Sequence, residues 1–241
     1  MKIGLKNSVA SLNINTNGAY IDNFEVKGVP IFFPKVMVKI GDILKVRGGM
    51  HVCTPNFGLD KRLDTLPAHG FGRDLLWQAI EQQENFVKLA LDGKKDYENV
   101  SFMVEYRLEG TSLFLSLKIK NNSNEEKLIA PGFHPYFYAD HRPIDINNRK
   151  VSKEELPDSI YVDGKDQRFT TNGTTIDIIG IKNINKYVFW TDFKGDYICV
   201  EPTYNGNAFE DSNKNIYRLE AKESFEISCR IKANIYDSEG G

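Results

Sequence analysis

Alternating apolar and polar residues between positions 100 and 119 constrain the fold more than any other feature of this sequence. A period of two residues puts one side of an extended strand in the core and leaves the other side outside it. Two such runs flank the short glycine-containing segment Glu109-Gly110-Thr111, which predicts an antiparallel hairpin. The apolar positions are Val100, Phe102, Val104, Tyr106 and Leu108 in the first run, and Leu113, Leu115, Leu117 and Ile119 in the second.

The same alternation recurs between Phe225 and Ala233, and shorter apolar runs at 87–91, 187–190 and 197–200 also predict strands. Dipeptides typical of turns lie between the predicted strands, and no long amphipathic helical pattern is present. Many strands at short spacing predict an all-β sandwich or barrel-like fold. The turn dipeptides are Asp92-Gly93, Asn172-Gly173, Lys194-Gly195 and Asn205-Gly206.

We expect a single domain over residues 1–241, because the sequence contains no linker, low-complexity tract or fixed-period repeat. The polar stretch 141–168 predicts a long surface excursion rather than a domain boundary.

Charge and hydropathy exclude several classes of partner. The 31 basic and 33 acidic residues nearly balance and form no basic cluster, so neither nucleic acid nor an anionic membrane is an expected partner. No apolar run approaches the ~18 residues of a membrane span, and the first fifteen residues lack the apolar core of a signal peptide. Cys53, Cys199 and Cys229 are widely spaced, which favours buried free thiols in a reducing compartment and hence the cytoplasm.

The segment LPAHGFGRDLLW, residues 66–77, puts His69 and Arg73 four positions apart. On a helix the two side chains would share a face, but Pro67, Gly70 and Gly72 predict an irregular loop instead. Two cationic, hydrogen-bonding side chains on such a loop favour a polar ligand close to the backbone. The alternative for each residue is a structural role.

His134 and Glu201 each precede a proline at the end of a predicted strand, in IAPGFHPYFYAD and YICVEPTYNG. Proline holds the preceding residue in extended backbone and removes a donor from the sheet. An imidazole and a carboxylate held in this way among aromatic side chains suit a general acid and a general base that face a carbohydrate. The alternatives are a His134 bonded to a carbonyl group and a Glu201 paired with a surface lysine.

Arg47 begins the turn-rich segment VRGGMHVCTPNFG and predicts either a ligand contact or an ordinary surface arginine. We expect no metal site, because His51, His69, His134 and His141 lack the short ligand spacing usual for zinc. The cysteines have no histidine and asparagine context for a thiol nucleophile.

Taken in chain order, these segments resemble the aldose 1-epimerase (galactose mutarotase-like) superfamily. The resemblance extends from about residue 17 to LEAKESFEISCRIK near the C-terminus. It implies a large antiparallel β-sandwich with a cleft on one open face. It further implies an enzyme that interconverts the α and β anomers of an aldohexose, with a sugar as its partner and no cofactor.

The resemblance assigns a role to each candidate. It makes His134 the general acid, Glu201 the base, and His69 a ligand for the substrate near its ring oxygen. Arg73 matches an arginine of the branch that includes hexose-6-phosphate 1-epimerases, and Asp163 is the candidate for an aspartate that holds sugar hydroxyls. Gly72 replaces the usual alanine of this motif without consequence. His51 for proline and Thr54 for phenylalanine are departures from the phosphate branch that argue against phosphate binding near Arg47.

Three functional alternatives follow. A hexose-6-phosphate 1-epimerase would use Arg47 and Arg73 as forked donors to phosphate. A non-catalytic carbohydrate-binding module on the same scaffold is disfavoured by the presence of both His134 and Glu201. A glycoside hydrolase needs two carboxylates around the scissile bond, and the sequence offers one in a convincing motif.

Overall fold

The computed structural model describes residues 1–62, 65–140, 144–146, 149–152, 154–210 and 215–235. These residues form strands and three 3-10 helices, Gly72–Asp74, Lys95–Tyr97 and Leu156–Asp158, which confirms the all-β prediction. The strands, in chain order, are β1 Lys2–Lys6, β2 Ala10–Asn15, β3 Tyr20–Val26, β4 Val29–Pro30, β5 Val36–Ile40, β6 Ile43–Arg47, β7 Met50–Cys53, β8 Gln78–Gln82, β9 Phe86–Asp92, β10 Val100–Glu109, β11 Ser112–Asn121, β12 Lys127–Ile129, β13 Gly132–Tyr138, β14 Ile144–Ile146, β15 Arg149–Val151, β16 Ile160–Asp163, β17 Asp166–Thr171, β18 Thr174–Lys182, β19 Lys186–Trp190, β20 Tyr197–Thr203, β21 Tyr217–Leu219 and β22 Ser224–Asn234.

Two nine-stranded antiparallel sheets make up the sandwich. The first sheet has the order β1-β2-β3-β7-β13-β20-β19-β16, with β4 paired to β3, and the second has the order β15-β14-β17-β18-β22-β11-β10-β9-β8. The predicted hairpin is confirmed as β10 and β11, which pair from Val100 opposite Asn121 to Glu109 opposite Ser112. The predicted strands at 87–91, 187–190, 197–200 and 225–233 are confirmed as β9, β19, β20 and β22.

The core lies between the two sheets. Phe137 of β13 meets Phe169 of β17 at a ring-centroid distance of 5.0 Å, and the Tyr106 hydroxyl of β10 donates to the carbonyl of Ala19 at 2.7 Å. Apolar side chains from both sheets belong to one continuous buried cluster. Burial of this apolar area is the main force that holds the sheets together.

The three central strands of the first sheet are buried on both faces. Every residue of β7 and β20 is buried, and so is every residue of β13 except Tyr138. One face packs against the second sheet through residues such as Val52, Phe133 and Val200. The opposite face carries the histidines and the glutamate singled out above, which places them away from the apolar core.

The prediction that residues 141–168 form a surface excursion is wrong for the part that the structure describes. β14 and β15 extend one end of the second sheet, and β16 forms the far edge of the first. Edge strands tolerate polar residues because one side remains open to water, which explains the weak apolar pattern. His141 lies outside the described residues.

All three cysteines are free and buried, as predicted. Among the described residues, no helix has the length and apolar character needed to cross a bilayer.

Candidate active site

A row of side chains crosses the outward face of the first sheet. The β13 and β7 register pairs His134 with His51, and the β13 and β20 register puts His134 opposite Glu201. Glu201 pairs in turn with Val188 of β19, and Val188 pairs with Tyr161 of β16. Because neighbouring strands lie only ~4.8 Å apart, this register alone brings the imidazole and the carboxylate together.

His134 Nε2 lies 3.4 Å from Glu201 Oε2, and both side chains are almost completely buried. The Oε2 atom has no hydrogen-bond partner among the described residues, and neither has His134 Nδ1. Such groups are rare in folded proteins and need an explanation. Both residues line a cavity of about 730 Å³, which is within the range of small-molecule sites.

The loop after β7 brings His69 and Arg73 to the same cavity. His69 has a φ of 62° and Gly70 a φ of 70°, so the chain makes a left-handed bend there. A Cβ atom at Gly70 would lie 2.0 Å from the carbonyl oxygen of Thr54. The glycine is therefore required by the close approach of this loop to the segment after β7. The irregular loop predicted from the sequence is confirmed.

Three imidazole rings cluster on the cavity floor. His51 stacks on His134 at a centroid distance of 4.6 Å and an interplanar angle of 28°, and His69 meets His134 edge-on at 5.0 Å. Tyr20 stacks on His51 at 5.5 Å, and Tyr136 stacks on His134 at 4.9 Å. The rings hold one another in fixed orientations, which limits the rotation of each imidazole.

Hydrogen bonds indicate the tautomers of two of these rings. The backbone N–H of Gly58 donates to His69 Nδ1 at 3.3 Å, so a neutral His69 carries its proton on Nε2 and can donate it to a ligand. Arg73 Nη1 lies 3.3 Å from His51 Nε2. Arginine has only donors, so His51 Nε2 accepts and the His51 proton is on Nδ1.

Burial and local charge favour the neutral forms of the three histidines and of Glu201. Desolvation by burial, followed by the positive charge of Arg73, lowers the pKa of His69 to about 3. Burial lowers the pKa of His134 and of His51 well below the usual histidine value, with further contributions from neighbouring imidazoles and Arg73. Burial alone raises the pKa of Glu201 well above the usual glutamate value. Burial therefore disfavours the charged form of both His134 and Glu201.

Arg47 and Asp163 differ in their relation to the cavity. Arg47 lines it, donates to Asp192 at 2.9 Å, and stacks over the ring of Trp190 at 5.4 Å. Asp163 lies at the end of β16, pairs with Lys186, and has a side chain that is 85% exposed. The structure brings five of the six sequence-predicted residues to one cavity and leaves Asp163 outside its lining.

Sequence reasoning did not assign a site role to His51, Trp190 or Tyr20, which all line the cavity. The sequence noted His51 only as a histidine without zinc-ligand spacing and as a departure from the family motif. For Trp190 and Tyr20, only the strand order of the sheet brings them near His134.

Comparison with known proteins gives a consistent result. The family model described as aldose 1-epimerase matches residues 1–224, whereas no curated protein matches the chain. The fold is similar to a galactose mutarotase related enzyme of Lactobacillus acidophilus, with 16% identity, a TM-score of 0.80 and full coverage of both chains, 100% and 100%. It is also similar to a galactose mutarotase-like protein of Lactobacillus casei, with 14% identity, a TM-score of 0.80, and coverage of 97% of this chain and 100% of the other. A protein of Synechocystis is 21% identical, with a TM-score of 0.79 and coverage of 98% and 96%.

Proposed function

Because the chain belongs to the aldose 1-epimerase family, we propose that it interconverts the α and β anomers of an aldohexose by acid and base catalysis. The observation that carries this proposal is the His134–Glu201 pair, with Nε2 and Oε2 3.4 Å apart on the floor of the cavity. A pyranose opens when its C1 hydroxyl loses a proton and its ring oxygen gains one. The pair offers one acceptor and one donor close enough together to reach two oxygens that are both bonded to C1.

Ring opening begins from the form in which Glu201 is a carboxylate and His134 carries the proton. Glu201 takes the proton of the C1 hydroxyl, the C1–O5 bond breaks, and His134 Nε2–H protonates O5. The open-chain aldehyde then rotates about C1–C2, and the reverse transfers close the ring as the other anomer. Opening leaves the pair as the neutral carboxylic acid and neutral imidazole, which is the form that burial favours.

His69 supports this step as a hydrogen-bond donor. Its Nδ1 accepts from Gly58, so its Nε2–H is free to hold the sugar near the ring oxygen. A pKa of about 3 keeps it neutral at physiological pH, and a neutral donor does not compete with His134 as an acid.

We infer that the substrate is a neutral aldohexose. Arg47 is already paired with Asp192, and Arg73 already donates to His51, so both guanidinium groups have partners within the site. The second candidate, a 6-phosphohexose, is favoured by the four cationic residues that line the cavity, Lys35, Lys45, Arg47 and Arg73.

Polarimetry or NMR of freshly dissolved α-glucose, α-galactose and glucose 6-phosphate tests the proposal. We expect faster anomer interconversion without consumption of sugar. A carbohydrate-binding module would bind the sugar but leave the spontaneous rate of anomer interconversion unchanged.

Arg73→Ala is expected to raise KM for the neutral sugar, because it removes a positioning contact and leaves the acid and the base in place. A large preference for the phosphate ester that disappears in Arg73→Ala would overturn the choice of a neutral substrate.

A further inference from the structure

The thiol of Cys199 lies beside the proposed catalytic pair and has no part in ring opening. Cys199 precedes Glu201 by two residues on β20, so both side chains point to the same face of the sheet. It pairs across the strands with Tyr136 and Trp190, and its side chain is fully buried. One donor atom from each of His134, Cys199 and Glu201 lies within 4.8 Å of the other two.

Nitrogen, sulfur and carboxylate oxygen are the donors that Zn²⁺ takes in proteins, at ~2.0–2.3 Å. A tetrahedral site with such bonds separates its ligand atoms by roughly 3.3–3.7 Å. His134 Nε2 and Glu201 Oε2 already lie 3.4 Å apart. Glu201 Oε2 is buried and has no hydrogen-bond partner among the described residues.

We propose that His134, Cys199 and Glu201 bind one thiophilic divalent cation, such as Zn²⁺, at the floor of the cavity. Because His134 and Glu201 line the cavity, a water molecule from it can take the fourth position, as in zinc sites with three protein ligands. Binding releases the thiol proton and the carboxyl proton to solvent. The two anionic ligands then balance the charge of the cation, so the buried site stays neutral overall.

The cation uses the same two atoms that ring opening needs, so it excludes catalysis while it is bound. This consequence rests on the proposed function, whereas the binding site itself does not. The protein thus contains a site at which a thiophilic metal competes with the sugar.

The first experiment measures binding without any activity assay. Co²⁺ added to the purified protein is expected to give a thiolate-to-cobalt charge-transfer band in the near ultraviolet, and Zn²⁺ is expected to displace it. Cys199→Ala is expected to lose the band. It is also expected to weaken Zn²⁺ binding, measured by calorimetry, by at least about 100-fold, because loss of a residue that only supports a metal ligand already lowers metal affinity by up to about 100-fold. Cys229→Ala is the matched control, because Cys229 is equally buried but belongs to β22 of the other sheet.

A band that persists in Cys199→Ala, or that is absent from the wild-type protein, would overturn the site. If Cys199→Ala does not fold, Glu201→Gln replaces it, since loss of the carboxylate is also expected to weaken Zn²⁺ binding about 100-fold.

The second experiment adds Zn²⁺ to the anomer-interconversion assay. We expect Zn²⁺ to inhibit the reaction, and we expect a chelator to reverse this inhibition and saturating sugar to relieve it. Binding without any epimerase activity would leave the site standing and overturn the proposed function, whereas activity that Zn²⁺ does not affect would overturn the competition.

Discussion

The β10–β11 hairpin and the β13–β20 pair are both antiparallel, but they differ in the burial of the face that points away from the core. In β10, buried residues alternate with partly exposed ones, so one face packs in the core and the other meets water. In β13 and β20, almost every residue is buried. Polar groups on the outer face of the hairpin, such as Arg107 and Glu109, form an ion pair at 3.1 Å in solvent. His134 and Glu201 are instead almost completely buried.

This difference sets the chemistry of the two regions. A charge that keeps its hydration has a nearly ordinary pKa, and an exposed ion pair contributes at most ~1 kcal/mol. A charge in the cavity loses hydration, so its neutral form is favoured and its pKa moves. Groups with displaced pKa values are costly to keep and are found at functional sites more often than elsewhere. The comparison leads to four predictions, from the largest expected effect to the smallest.

Glu201→Gln is expected to lower the rate of anomer interconversion by about 10²–10⁴-fold, because an amide cannot exchange the proton that ring opening transfers. The thermal midpoint should change little, since the amide keeps the shape of the carboxyl group and brings no charge into the buried site. Polarimetry and thermal unfolding measure the two quantities. His134→Asn is the parallel variant, and near-normal turnover of either folded protein would contradict the role assigned to that residue.

Leu115→Ala, on the core face of β11, is expected to show the reverse pattern. Leu115 is fully buried between the sheets, and deletion of its side chain should reduce the free energy of unfolding by about 2–5 kcal/mol. Denaturant unfolding measures the loss. The turnover of the remaining folded protein should be unchanged, and a proportional loss of specific activity would show that the two regions are coupled.

The stability of the protein is expected to fall as the pH drops from 7 to 5. The folded-state pKa of His69 is about 3, whereas the unfolded chain has a histidine pKa of ~6.5. The unfolded state therefore binds more protons below pH 6.5, and stability present above that pH is lost as the pH falls. His69 alone should contribute about 2 kcal/mol of this loss by pH 5.

His51 and His134 act in the same direction, and Glu201, whose pKa is raised, acts in the opposite direction. His69→Asn tests the share of His69, because asparagine tolerates the positive φ at this position. Denaturant midpoints measured from pH 7 to pH 5 should decline less steeply in His69→Asn. An equal slope in variant and wild type would show that His69 is not held neutral.

His51→Phe is expected to raise KM for the sugar by up to about tenfold and to leave kcat nearly unchanged. Phenylalanine keeps the stack on Tyr20 and His134 but cannot accept the hydrogen bond from Arg73, which is worth roughly 1–1.5 kcal/mol. His51→Gln retains an acceptor and serves as the control. The idea fails if both variants change KM equally, because stacking rather than orientation of Arg73 would then be the role of His51.

The sequence predicted the hairpin, four further strands and the all-β class because alternation with a period of two is a local property of the chain. It was wrong about residues 141–168 because edge strands lose the apolar pattern that identifies buried ones. The motifs around His69, His134 and Glu201 were found through proline and glycine positions and through family resemblance. His51 was noted only among the histidines weighed as zinc ligands and as a departure from the family, since nothing in its neighbourhood on the chain indicates that it stacks on His134.

The sequence by itself determined which residues extend, where the chain turns, and which polar groups interrupt apolar strands. Only the tertiary structure decided that β7, β13 and β20 lie side by side, so that side chains 51, 134 and 201 form one row across a sheet. It also decided that the outer face of these strands is buried rather than exposed. The reason is physical: strand order and the burial of a face depend on contacts between distant segments, whereas periodicity depends on neighbours along the chain.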